Sequence, residues 1–97
     1  MVINDNVEKH MNICKELNKI YEKKNNDYGD SFHRSFQEYG PIVSCIRIED
    51  KLNRLKSIVK GKKMQVTDES EIDTLLDLAN YAILSIMELQ TEVLKKQ

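Results

Sequence analysis

Along this chain the apolar positions return every three or four residues, and no stretch with a period of two is long enough to defend as a strand. That spacing predicts amphipathic helices throughout. From Asp5 to Lys24, Val7, Met11, Cys14, Leu17 and Ile20 or Tyr21 keep the helical period. Asn25-Asn-Asp-Tyr-Gly-Asp30 then breaks it with turn formers. Asp30 or Ser31 is expected to cap a short second helix running to about Tyr39, with Phe32 and Phe36 one turn apart. Gly40-Pro41 ends that helix and starts a third, because proline suits the first helical turn.

The third helix, from Pro41 to about Lys60, is expected to bury Ile42, Val43 or Cys45, Ile46, Leu52, Leu55 and Val59, with Gly61 as its C-terminal cap. Lys60, Lys62 and Lys63 read as a solvated helix end, where the dipole favours cations. The last and longest helix is expected to start at Asp68, with Glu71 completing a capping box. Ile72, Leu75, Leu76, Ala79, Ile83, Ile86, Met87 and Leu94 draw one apolar stripe along it. It should run for about 27 residues, roughly 40 Å, long for a chain of 97 residues. Its distal end, Glu88 to Gln97, is therefore expected to pack against another subunit. The predicted fold is all-α: a small bundle of about four helices with a long C-terminal helix, one domain over residues 1–97, forming a homo-oligomer.

Composition narrows the function. Lys+Arg 15 against Asp+Glu 16 gives a net charge of -1, which argues against binding DNA or RNA polymers. A local basic pocket for a small anion stays open. The absence of an 18-residue apolar run and of a signal-peptide pattern predicts a cytoplasmic protein without a membrane partner. Cys14 and Cys45 are too few for a disulfide framework or zinc site and read as small core residues. His10, beside the apolar stripe of the first helix, is given no role.

Three polar groups carry the candidate chemistry. The turn supplies Tyr28, Gly29, Asp30, Phe32, His33 and Arg34; the third helix supplies Arg47, Asp50, Lys51 and Arg54 on one side; the last supplies Asp73, Asp77 and Asn80. If the two helices run antiparallel, Arg54 falls near Asp73, Lys51 near Asp77 and Arg47 near Asn80. Such a row is either a ladder of ion pairs, which stabilises little when exposed, or the furniture of a small site. Arginine and lysine take phosphate oxygens, the guanidinium in bidentate geometry. Asp and Asn read hydroxyl or amino groups, and Tyr28, Phe32 or His33 would stack on a base.

These stretches also carry a resemblance. Asn26-Asp-Tyr-Gly-Asp-Ser-Phe32, Arg47-Ile-Glu-Asp-Lys-Leu-Asn-Arg-Leu55, Asp68-Glu-Ser70 and Asp73-Thr-Leu-Leu-Asp-Leu-Ala-Asn-Tyr-Ala82 resemble, in order, the nucleotide modification-associated domain family. Its members are small helical proteins common in bacteriophages and prophages. The resemblance covers roughly residues 20–90 and implies a link to nucleotide metabolism without a defined reaction.

Two classes of function follow. The favoured expectation is a non-catalytic, phage-encoded sponge that sequesters a nucleotide immune signal, cyclic oligonucleotide or ADP-ribose-derived, and needs no cofactor or metal. Arg34, Arg47, Lys51 and Arg54 would then hold phosphates, in a pocket completed between subunits. The alternative is an Mg-dependent enzyme, since the last helix is similar to the closing helix of all-α nucleotide pyrophosphohydrolases of the MazG kind. Those enzymes gather carboxylates around the metal, whereas here the partnering helix reads Glu49-Asp-Lys-Leu-Asn-Arg54. Lys51 and Arg54 stand where ligands are needed. An accessory subunit in phage nucleotide modification is a third reading, and it predicts no tight small-molecule binding.

Overall fold

A computed structural model of the chain describes residues 5–25, 30–61 and 70–96. Among these residues there are four helices and no strand: α1 Asp5–Lys24, α2 Ser31–Tyr39, α3 Ile42–Val59 and α4 Glu71–Lys96. The turn at residues 26–29, the lysines at 62 and 63, and Asp68 lie outside the described residues. The predicted helices are all present. Gly40 and Gly61 both have positive φ, 82° and 74°, the backbone region where glycine avoids a Cβ clash. Gly61 N–H donates to Ile58 O at 3.0 Å, closing the end of α3 as expected.

Two caps differ from expectation. Asp30 occupies the N-cap position of α2, but its side chain makes no capping hydrogen bond. The start of α4 is capped by Ser70, whose Oγ accepts from Asp73 N–H at 3.0 Å. Asp73 Oδ2 in turn accepts from Ser70 N–H at 3.3 Å. This is a capping box, with Asp73 in the place usually taken by Glu or Gln.

The helices pack around α4. Ser44 of α3 meets Ser85 of α4, and seven residues further along α3 Lys51 meets Asp77, so the two helices run antiparallel. Leu17 of α1 touches Asn80 on another side of α4. α2 packs against both α3 and α4, and its Phe32 and Phe36 join Val43 and Leu84 in the core, with Ile20, Tyr21 and Tyr81 against them. Phe32 lies 6.0 Å from Phe36 and 5.9 Å from Tyr81 in tilted ring pairs, which favour aromatic packing.

The orientation of α4 is inverted relative to its amphipathic pattern. Its buried side chains are Thr74, Asn80, Leu84 and Ser85, three of them polar. Each polar one is satisfied locally: Thr74 Oγ1 donates to Ser70 O at 3.0 Å, Asn80 Nδ2 to Leu17 O at 3.2 Å, and Ser85 Oγ to Tyr81 O at 2.7 Å. The apolar stripe faces away from the chain's own core, with Ile72 69% and Ile86 54% exposed. On α3 only Val43 of the expected core residues is buried. Leu55 is partly covered, while Ile42, Cys45, Ile46, Leu52 and Val59 are exposed. Cys14 is exposed too, so neither cysteine is a core residue. One helix cannot turn two faces inward, and the face that bonds to its neighbours has displaced the apolar one.

Urea denaturation at one protein concentration checks this assignment of weight. Phe32→Ala should cost about 3–5 kcal/mol, as for a large aromatic removed from a close-packed core. Ser70→Ala should cost about 1 kcal/mol through the lost cap. An unchanged midpoint for Ser70→Ala would remove the capping box from the account.

Candidate functional site

α3 presents Arg47, Asp50, Lys51 and Arg54 along one side, as their i, i+3, i+4 and i+7 spacing dictates. Together with Tyr81 of α4 they line a hollow of about 310 Å3. Three of the five lining side chains are cationic and one is acidic. Tyr81 is half-buried against the core, where its ring meets Phe32, so the hollow has a fixed aromatic wall. A rigid aromatic beside cationic forks suits a planar or phosphorylated ligand.

Lys51 Nζ lies 3.0 Å from Asp77 Oδ2, and the two side chains are only 23% and 20% exposed. This pair stands between two hollows. Lys51 lines the cationic one, while Asp77 also lines a wider cleft of about 730 Å3 between α1 and α4, with Glu16, Ile20, Lys24, Ile72, Asp73 and Leu76. Glu16, Asp73 and Asp77 therefore lie on the α1 side of the pair, and both guanidinium groups, with Asp50, on the α3 side. Among the described residues no three His, Cys, Asp or Glu side chains stand together as a metal-ligating group.

The predicted ladder forms only at its middle rung. Asp73 is engaged by Ser70 at the start of α4 instead of by Arg54. Asn80 is 3% exposed, bonds to Leu17 O, and ties α1 to α4 instead of meeting Arg47. Phe32, expected to stack on a base, is 2% exposed and belongs to the core, with no face to offer a ligand. His33 Nδ1 lies 2.8 Å from Glu88 Oε2, joining α2 to α4 about 10 Å along the helix axis beyond Tyr81. Asp30 and Arg34 are exposed on α2 and do not line the hollow. Tyr28 and Gly29 lie outside the described residues.

Tyr81 is the lining residue that sequence reasoning missed. The signal was available: from Asp77, the residue one turn on and nearest the same side is Tyr81, four positions away. Asn80, three positions away, is rotated about 100° from Tyr81 and falls on the α1 side.

No curated protein and no solved structure matches this chain. The model of the nucleotide modification associated domain 1 family, a domain of unknown function, matches residues 24–89. That span includes α2, α3, most of α4 and every residue lining the cationic hollow. The chain belongs to the nucleotide modification associated domain 1 family.

Proposed function

We propose that the hollow bounded by Arg47, Asp50, Lys51, Arg54 and Tyr81 binds the phosphate of a nucleotide-type ligand and holds it without cleaving it. The observation that carries this reading is the gathering of three cations against one aromatic wall, in a chain whose overall charge is -1. Two guanidinium forks and an ammonium supply bidentate and point-charge contacts to phosphate oxygens. The hollow, at about 310 Å3, is at the small end of ligand pockets and suits a phosphate with its sugar better than a whole dinucleotide. Membership of a nucleotide-associated family supports the same ligand class.

Retention is favoured over hydrolysis by the Lys51–Asp77 contact. Hydrolysis of the MazG kind needs carboxylates gathered on Mg2+, and here an ammonium already sits 3.0 Å from the Asp77 carboxylate. Sequestration of a nucleotide signal, cyclic or ADP-ribose-derived, is the role that a binder without turnover would fill. One observation favours the hydrolase reading: Glu16, Asp73 and Asp77 line the cleft directly behind the pair.

A mass-balance assay separates the two. Purified protein is mixed, with and without Mg2+, with nucleoside triphosphates, cyclic di- and trinucleotides and cyclic ADP-ribose isomers. Free ligand is then measured before and after heat denaturation. A ligand that disappears and returns intact supports retention, whereas one that returns as product only with Mg2+ overturns it.

Arg47→Ala and Arg54→Ala should each weaken binding by roughly 10- to 100-fold, the worth of a charge-assisted hydrogen bond. The far-UV circular dichroism should not change. Lys51→Ala is a poorer probe, because it also removes a partner of the partly buried Asp77. Normal affinity in both arginine variants would place the ligand elsewhere.

A further inference from the structure

The outward face of α4 carries a second pattern. Ile72, Leu75, Ala79, Ala82, Ile86, Leu89 and Val93 follow one another at intervals of 3, 4, 3, 4, 3 and 4. That is the a/d spacing of a coiled-coil seam, sustained over three heptads. None of these residues is buried: Leu75 is 46% exposed, Leu89 47% and Val93 57%. Near the far end, Ile86, Leu89, Gln90, Val93 and Leu94 surround an apolar hollow of about 460 Å3. A lone helix needs no such seam; Ile72 borders the cleft beside α1, and Leu75, Ile86, Leu89 and Val93 are exposed.

We infer that this seam binds the same seam of a second copy of the chain, with the two α4 helices antiparallel. Side-chain size supports the direction. In an antiparallel pair centred on Ala82, Ala79 faces Ile86, Leu75 faces Leu89 and Ile72 faces Val93. Ile86 then fills the space beside Ala79, large side chains reach the distal hollow, and Ala82 against its own copy is a single thin layer at the centre. A parallel pair in register would set Ala79 on Ala79 and Ala82 on Ala82, leaving two adjacent thin layers in place of one.

The helix dipoles support the direction as well, because the macrodipoles of two antiparallel α4 helices oppose each other. The available area is sufficient: α4 is 26 residues long, and with the flanking apolar side of α3 (Cys45, Leu52, Val59) it offers a strip about 39 Å by 20 Å. That is close to the ~800 Å2 per partner of a standard stable interface.

The pairing also fixes where the cationic hollow lies. Thr74, Asp77, Tyr81 and Ser85 occupy the side of α4 turned away from the seam, so each hollow opens outward. A dimer would carry two separate hollows, one per copy, instead of one pocket shared between copies. The inference is independent of what the hollow binds.

Light scattering on the full chain at micromolar concentration should give twice 11.4 kDa. Leu89→Glu, which enters a symmetric pair twice, should raise the dissociation constant on the order of 100-fold or more. Because that variant could unfold instead, cross-linking provides a second test. In a background of Cys14→Ser and Cys45→Ser, both exposed positions, Leu75→Cys mixed with Leu89→Cys should form a disulfide-linked dimer on oxidation. Leu75→Cys alone should not. A folded monomer at these concentrations, or efficient self-linking of Leu75→Cys, would overturn the antiparallel dimer.

Discussion

The constraint on which the structure rests is that α4 buries a polar strip and must satisfy every group on it. Thr74 reaches back to Ser70 O, Asn80 across to Leu17 O, and Ser85 to Tyr81 O while its hydroxyl also meets Ser44. A buried amide or hydroxyl left without a partner costs about 1–3 kcal/mol, so the two contacts that reach other helices, Asn80 to Leu17 O on α1 and Ser85 to Ser44 on α3, restrict the rotation of α4 about its axis. Turning the helix to bury Ile72, Ile83 and Ile86 instead would break both. The polar strip thereby sets the position of α1 and α3, and the apolar stripe is left outward as a consequence.

That arrangement leaves a modest private core. Phe32, Phe36, Val43 and Leu84 form it, with Leu17 buried apart from them under α1. A chain of 97 residues is long enough to fold on a single core, but this one draws on few buried apolar side chains among the described residues. The large apolar side chains outside it on α1, α3 and α4 are the natural further source of burial, because association removes apolar area from water as folding does.

The helices were legible in the sequence because periodicity is local. The same four segments follow from the three-to-four spacing, with α1 running from Asp5 to Lys24 as expected. The direction each helix faces was not legible for the same reason. A helical period says that one side is apolar, but not whether that side meets the chain itself or something else. Ile42, Ile46, Leu52 and Val59 on α3 are expected inward on that ground, and they face outward. Arg47, Asp50, Lys51 and Arg54 line one hollow because a single helix fixes their spacing, which the sequence shows directly. Phe32 and Asn80 were misplaced because their environment depends on how α1, α2 and α4 come together, which spacing along one helix does not encode.

The two faces of α4 are physically linked. Tyr81 lines the hollow and Asp77 pairs with its Lys51, while Ala79 and Ala82, their neighbours in sequence, lie at the centre of the seam. A rigid partner helix against Ala79 and Ala82 would limit bending of α4 behind the Lys51–Asp77 pair. Preorganised cations bind phosphate better than mobile ones, because less conformational freedom is lost on contact. The pairing proposed on one face would therefore help to hold the charge geometry proposed on the other, without any residue of the second copy touching the ligand.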